Sequence, residues 1–479
     1  MASELKKKTV KGVVWSGLNS FSVQGVQFLV MLVMARLLTP SDYGLVGMIV
    51  IFTAIASLFI DSGLGNALIR KLDRTEADNS TVFLFNVAVG LLMYIILFFS
   101  APYVADFYNM PLLCPVMRVS CIGIMINALT AVQGAMYNIN LDFKTPAIIS
   151  FSTSIVSGIV GITMAYIGMG VWALVIQGLT GGVLRACLIW ILSKWRPKLI
   201  FSWQSFKDLF GYSSKLLVSG LLDCIYNNIY PIVIGKFFSA ANLGLYNRAQ
   251  HFANLPSKNL TSIVRGVTFP VLCKLQNDDE KLALNYRRLL KMITYLVFPM
   301  MLLLATLSYP VVITLVGERW AFCAILLPII CIARMWYPVH SINLNLLQVK
   351  GRSDLFLRLE VIKKVVGVAI MVITIPMGII AMCCGQIVSS IICLIINTYY
   401  TGKLIKVGFF VQIKDMAPCI LLSVAACAGA YLTAIFLPNA FLQMVGGGIV
   451  GVLLYVAGSY LFRFYELKEL VNIVRKRNI

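Results

Sequence analysis

The stretch "VMARLLTPSDYGL" (33–45) and the stretch "VIGKFFSAANLGL" (233–245) carry one pattern. Val33 aligns with Val233, Arg36 with Lys236, Gly44 with Gly244 and Leu45 with Leu245. Each copy ends an apolar run on a single cation, turns through small residues and resumes at Gly-Leu. A second landmark follows the same spacing: "LIRKLDRTEAD" (68–78) pairs with "VLCKLQNDDEK" (271–281), Lys71-Leu72 meeting Lys274-Leu275. The chain is therefore built from two similar halves.

The material of those halves is lipid-soluble. Of 479 residues, 59% are hydrophobic and 12% charged, with a mean hydropathy of +0.88. Soluble domains carry about 25% charged residues. Apolar runs of about 20 residues, long enough for a ~30 Å hydrocarbon core, recur along the whole chain. The short alternating strands of a membrane barrel do not. The pattern predicts an all-α polytopic membrane protein of about 14 transmembrane helices. They fall near 11–36, 42–63, 80–101, 112–138, 146–167, 170–193, 211–237, 242–272, 286–315, 321–348, 355–376, 379–402, 415–437 and 441–463.

Six helices belong to each copy. This gives an N-terminal lobe at 1–205, a C-terminal lobe at 206–405, and two additional helices with a basic cytoplasmic tail at 406–479. An even number per copy preserves orientation, so the lobes are parallel repeats about an axis along the membrane normal. Transporters built this way hold substrate between the repeats and rock one against the other. The sequence thus favours a transporter over a channel or an anchor.

The connecting segments alternate in charge. One set gathers Lys6, Lys7, Lys8 and Lys11, Arg70, Lys71 and Arg74, Lys144, and Lys194, Arg196, Lys198 and Lys207; it continues through later loops to the tail. The other set, such as "APYVADFYNMP", is short and nearly free of Lys and Arg. The positive-inside rule then places both termini in the cytoplasm. The net charge of +21 follows from that topology and from attraction to anionic membrane lipids, with no need for nucleic acid as a partner. Trp172 and Trp320 are expected at outer helix ends, and Trp15, Trp195 and Trp203 at inner ends. Trp336, deep in the tenth helix, does not fit that belt.

The basic, then apolar, N-terminus lacks a small-residue cleavage site, so a retained first helix is expected. The 12 cysteines lie mostly in apolar runs without ligand spacing and read as small hydrophobes. With only His251 and His340 available, no metal site and no cofactor are expected.

A charge at membrane depth costs at least ~2.5–3.5 kcal/mol. Those that persist lie near an interface, in a pair, or beside an aqueous cavity. The candidates are Asp61, Arg118, Arg185, Lys215, Asp223, Arg248, Lys258, Arg265, Arg334 and Glu360. Seven are cations and three are acids, so a shared cavity would suit a phosphate or pyrophosphate. Arg185, Arg265 and Arg334 are the deepest cations. Arg118, Arg248, Lys215 and Lys258 form the remaining set, with Lys215 and Glu360 close enough to the inner interface to snorkel. Asp223 and Asp61 are candidates for charge pairing or for a coupling ion, H+ or Na+. Arg36 and Lys236 mark the outer ends of helices one and seven, with a second role at an outer gate. Pro231 in "YNNIYP" (226–231) and Pro256 in "NLPSKN" (254–259) are expected to bend their helices.

Further stretches now add a resemblance. "MARLLTPSDYGLVGM" (34–48), "FIDSGLGNALIRK" (59–71), "APYVADFYNMPLL" (101–113), "LDFKTPAII" (141–149), "GVWALVIQGL" (170–179), "LGLYNRAQHFANLP" (243–256) and "VTFPVLCKLQND" (267–278) resemble the polysaccharide transport family. That family is part of the multidrug/oligosaccharidyl-lipid/polysaccharide exporter superfamily. The resemblance implies a flippase, not an enzyme, of the bacterial inner membrane. It implies a substrate of polyprenyl-pyrophosphate-linked oligosaccharide, for O-antigen, exopolysaccharide or capsule assembly. It also implies alternating access through a cationic cavity driven by an ion gradient, with a polysaccharide polymerase and glycosyltransferases as pathway partners. The expected mechanism holds the pyrophosphate on Arg185, Arg265 and Arg334 and leaves the polyprenyl tail in lipid.

The rival readings are a peptidoglycan-precursor lipid flippase, a drug or cation exporter of the same superfamily, and a membrane glycosyltransferase or polymerase. The exporter would favour acids in its cavity. The enzymes need a large outer loop, and the longest here is about ten residues.

Overall fold

The computed structural model describes residues 22–61 and 63–476, without the side chains of 212, 215, 262–267 and 473–476. The expected first helix from residue 11 to 21 and the basic N-terminus lie outside the described residues. Those that are described form helices and connecting turns, with no strand among them. Eleven stretches among them are long and apolar enough to cross a membrane. Three further segments of the expected fourteen, within Ser22–Leu37, Ala240–Lys274 and Ser353–Thr374, are helical but fall short of that combination of length and apolarity. The protein is an all-helical, multi-pass membrane protein; the count of fourteen spans does not follow from composition alone.

Packing divides the chain into two compact units, residues 1–244 and 245–479. Repetition and packing thus cut the sequence at different places, 205/206 and 244/245. The first unit contains α1 (Ser22–Leu37), α2 (Pro40–Asp61), α3 (Leu64–Arg70), α4 (Glu76–Tyr108), α5 (Leu113–Ser120), α6 (Ile122–Ala128), α7 (Ala131–Ile139), α8 (Lys144–Tyr166), α9 (Val171–Leu192) and α10 (Trp203–Phe237). The helix α11 (Ala240–Lys274) begins in this unit and continues into the second. Beyond it come α12 (Asp279–Thr306), α13 (Ser308–Val316), α14 (Ala321–Arg334), α15 (Tyr337–Val349), α16 (Ser353–Thr374), α17 (Ile379–Ile405), α18 (Phe409–Ile435), α19 (Ala440–Leu461) and α20 (Tyr465–Lys476).

The repeated motif folds for the same local reason in both copies. Before α2, the Asp42 carboxylate accepts from the Thr39 N–H at 2.9 Å, and the Thr39 hydroxyl accepts from the Asp42 N–H at 3.3 Å. This is a capping box with proline at the first helical position. Before α11, the Ser239 hydroxyl accepts from the Asn242 N–H at 3.1 Å. One turn further, the two helix starts meet. A Cβ on Gly44 would overlap the Ala240 carbonyl oxygen, and a Cβ on Gly244 would overlap the Pro40 carbonyl oxygen. Gly44 is thus pressed on the Ala240 backbone and Gly244 on the Pro40 backbone, as small residues allow in close crossings of membrane helices. The glycine Cα–H groups face carbonyls there, a weak hydrogen bond of about 0.5–1 kcal/mol each.

The basic loop 193–202 is strapped to the start of α4. The Trp195 indole N–H donates to Glu76 at 2.8 Å, the Lys198 N–H to Ser80 Oγ at 3.1 Å and the Ser202 N–H to Thr81 Oγ1 at 2.9 Å. Asp78, itself in a capping box with Thr75, pairs with Lys71 at 2.9 Å. That hydrogen bond raises the Lys71 ammonium above the ordinary lysine range.

In the second unit α18 and α19 pack on α12 and α13. The Arg287 guanidinium grips Asp415 through two bonds of 2.6 and 2.7 Å, with Lys291 at 3.2 Å. Gln412, fully buried, donates to Asn343 and Thr401 at 3.1 and 3.0 Å, joining α15, α17 and α18. The helix α18 is therefore fastened into the unit by polar bonds as well as by apolar contact.

Candidate substrate cavity

A cavity of about 540 Å³ opens within the first unit. Its wall comes from the end of α2, from α3, α4, α7, α9 and α10, and from the end of α6. These are the helix ends that lead into the basic loops, since Asp61 and Asn66 precede Arg70 and Asn138 precedes Lys144.

Each wall is set by local chemistry. Gly63, at φ 72°, turns the chain between α2 and α3 in the left-handed region that suits glycine. Leu64, Ala67 and Leu68 of α3 then bury against Val82, Phe83, Val132 and Leu209, which leaves Asn66 on the exposed side. The predicted helix 112–138 is broken in two places, at Cys121 and at Leu129–Thr130. At the second break the Thr130 hydroxyl donates to the Ile126 and Asn127 carbonyls at 3.2 and 3.1 Å, and the Trp190 indole N–H takes the Leu129 carbonyl at 3.1 Å. Asn127, Thr130 and Asn138 consequently face the cavity, together with Asn86 of α4.

Arg185 and Asp61 both line this space and both are exposed to it. The cation thus shares its surroundings with an acid. Arg118 lies elsewhere: its Nε donates to the Phe98 carbonyl at 3.3 Å and its guanidinium sits 4.4 Å from the centre of the Phe98 ring. Lys236 donates to the Phe107 carbonyl and stands 4.4 Å over the Phe107 ring, which binds the end of α10 to the end of α4. Arg36 is exposed at the end of α1, and Asp223 is exposed on α10 beyond the cavity-lining Leu216 and Leu217. The side chain of Lys215 lies outside the described residues.

The second unit gathers other cations. Arg248, only 6% exposed, stacks 5.0 Å over Trp320, a ring that is itself fully buried rather than placed in an interfacial belt. Lys258 follows Ser257, whose hydroxyl donates to the Arg334 carbonyl at 3.0 Å, so neighbouring helices, α11 and α14, carry the two cations. Neither takes part in an ion pair among the described residues. Arg334 also lies near the buried Tyr246 hydroxyl, which accepts from Gln386 at 3.0 Å and Gln250 at 3.3 Å. Arg265 stands seven residues beyond Lys258 on α11, with its side chain outside the described residues. Glu360 is paired with Lys363. Helices α10 and α11 run without interruption through Pro231 and Pro256.

His340 is held on both nitrogens. The Ser390 hydroxyl donates to the Ala333 carbonyl at 3.1 Å, so it accepts from His340 Nε2 at 3.1 Å. Nδ1 then accepts from the Asn397 amide at 3.2 Å. This is the hydrogen-bonded, neutral arrangement of a packing histidine. Trp336, at the break between α14 and α15, packs edge-on against Phe298 at 5.3 Å. Among the described residues no group of His, Cys, Asp and Glu could hold a metal ion, and all twelve cysteines are free.

The structure therefore places Asp61 and Arg185 on the wall of one cavity in the first unit, and Lys258 and Arg334 on neighbouring helices in the second. It also reveals four cavity asparagines that charge-based reading passed over. Their signal was weak, because an amide carries no charge to stand out and the four of them are scattered between residues 66 and 138.

Known proteins bear on this arrangement. A family described as "Polysaccharide biosynthesis protein" matches residues 33–325. The chain is similar to the teichuronic acid biosynthesis protein TuaB of Bacillus subtilis, 26% identical across 73% of each chain. It is also similar to the succinoglycan biosynthesis transport protein ExoT of Rhizobium meliloti, 23% identical over 100% of this chain and 98% of that one. Among solved structures, the lipid II flippase MurJ in an inward closed conformation superposes with a TM-score of 0.77 over 94% of this chain and 99% of its own, at 17% identity. That likeness concerns the fold, and the family match covers well over half of the sequence. The chain belongs to the polysaccharide biosynthesis protein family.

Proposed function

We propose that this protein is a flippase of the bacterial inner membrane. It moves a polyprenyl-pyrophosphate-linked oligosaccharide from the cytoplasmic to the outer leaflet for assembly of a cell-surface polysaccharide. Both termini are cytoplasmic in this reading, and access alternates at the expense of an H+ or Na+ gradient. A polymerase and glycosyltransferases act before and after it, and the protein itself performs no bond chemistry.

The observation that carries the proposal is that Lys258 and Arg334 stand on neighbouring helices, joined where the Ser257 hydroxyl donates to the Arg334 carbonyl at 3.0 Å, and that neither has an ion-pair partner among the described residues. Keeping like charges together inside a membrane protein is costly, and a dianionic group bound between them removes that cost. A guanidinium beside an ammonium suits a pyrophosphate, since charge-assisted bonds to phosphate oxygens are about twice as strong as neutral ones. Arg265, on the same helix as Lys258, is a third ligand in this reading.

The test is complementation of a strain lacking its own flippase, scored by surface polysaccharide, with membrane levels measured in parallel. Replacing both Lys258 and Arg334 by alanine should lower polysaccharide by about 100-fold or more, as expected for losing two charged hydrogen-bond donors. Full surface polysaccharide from the double variant would overturn the assignment.

A further inference from the structure

The cavity of the first unit differs in kind from a phosphate site. Its two charges, Asp61 and Arg185, are of opposite sign, so the wall carries no net attraction for an anion. Its remaining polar groups are neutral: Asn66, Asn86, Asn127, Asn138 and Thr130. Each asparagine offers two N–H donors and a carbonyl acceptor. Such a wall matches a ligand dense in hydroxyls, which both donate and accept. The volume of about 540 Å³ is that of a small-molecule site, for which about 300–1,000 Å³ is usual.

A second observation points to a ligand. Asn86 is only 2% exposed, and its carbonyl oxygen has no hydrogen-bond partner among the described residues. An unsatisfied buried acceptor costs about 1–3 kcal/mol. Asn86 lines the cavity, so a hydroxyl placed there would satisfy it. The wall also keeps room for a bulky guest: a Cβ on Gly134 or on Gly65 would meet nothing within 4 Å.

We infer that this cavity, built wholly from the first unit, is the glycan-reading site of the protein and takes the neutral sugars of the substrate. The inference rests on the transport reading above and goes beyond it by giving Arg185 to the sugars. Arg185 and Asp61 orient hydroxyls through paired bonds, and Asn86, Asn127 and Asn138 select among sugar stereochemistries. A site that hydrogen-bonds a hydroxyl rejects analogues lacking it strongly, because its own polar groups are then left unpaired.

The experiment uses the purified full chain in lipid nanodiscs and two probes. One is the repeat-unit oligosaccharide released by mild acid from the producing strain's own surface polysaccharide. The other is farnesyl pyrophosphate, which has the anion and no sugar. Asn86→Leu should weaken the oligosaccharide at least tenfold and change farnesyl pyrophosphate by less than twofold. Gly134→Leu should do the same by filling the cavity, and it leaves every hydrogen bond in place while improving helix propensity. Lys258→Ala with Arg334→Ala should show the reverse pattern. Unchanged oligosaccharide affinity in Gly134→Leu, or equal loss of both probes in a monodisperse variant, would overturn the glycan site. Wild-type protein that binds farnesyl pyrophosphate but no oligosaccharide would refute the glycan site and spare the transport reading. Protein that binds neither would remove both.

Discussion

Arg185 in the first unit shares its cavity with Asp61, whereas Lys258 and Arg334 in the second stand on neighbouring helices without an ion-pair partner among the described residues. The lesson is that a cation at membrane depth has two distinct meanings. Balanced by an acid and surrounded by amides, it is one polar group among several. Set against another cation, it is a store of electrostatic repulsion that an anion can release. Counting seven cations against three acids among the membrane-depth candidates merges these cases, and only the neighbours separate them.

The strongest way to break this contrast is to supply the missing acid. Ser257→Asp places a carboxylate beside Arg334 and Lys258, and surface polysaccharide should fall about 100-fold, as with removal of the cations themselves. Activity near wild type would show that the pair does not work through its net charge. A smaller effect is expected at a carboxylate that serves the fold. Asp415→Ala leaves Arg287 and Lys291 without their partner and should lower unfolding stability by about 2 kcal/mol. That lies below the ~3–5 of a fully buried pair, because Arg287 is 42% exposed. Chemical denaturation in detergent measures it, and polysaccharide export at permissive temperature should persist.

The contrast can also be sharpened from the other side. Asp61→Asn removes the acid from the first cavity and leaves Arg185 unbalanced. Farnesyl pyrophosphate should then gain a second, weak site in this cavity, since one unbalanced charge there is worth about 1 kcal/mol. An unchanged stoichiometry would mean that Asp61 does not offset Arg185. The smallest change belongs to Lys236→Met. Its ammonium holds Phe107 by one hydrogen bond and a ring contact at a half-exposed site, so thermal unfolding should shift by no more than about 1 kcal/mol.

Much of the architecture could be read from the chain because its signals are local. The repeated turn of small residues followed by Gly-Leu places helix starts near 42 and 242, and the structure begins those helices at Pro40 and Ala240. Long apolar runs located the helices themselves. What escaped was where a run breaks. Residues 112–138 read as one helix, yet the chain bends at Leu129–Thr130, where the Thr130 hydroxyl and the Trp190 indole occupy backbone carbonyls. The partner at Trp190 is sixty-one residues away, so no window of sequence contains the cause. The break after Arg334 was nearer to legible, since Pro338 lacks the N–H an uninterrupted helix would use. The cavity asparagines stayed hidden because their significance lies in sharing one wall. Charge drew attention to Arg118 and Arg248, which the structure commits to aromatic rings.

The mutual contact of Gly44 and Gly244 bears on how this gene can vary. Each glycine leans on a carbonyl belonging to the other copy of the motif, so a larger residue at either position meets the same obstacle. A library of all single substitutions, selected for surface polysaccharide, should therefore show two narrow troughs of intolerance in equivalent places of the repeat. Relief cannot come from a compensating trim of a side chain, because the obstructing atoms are backbone. Each of the two glycines is thus required by the backbone of the other copy of the motif.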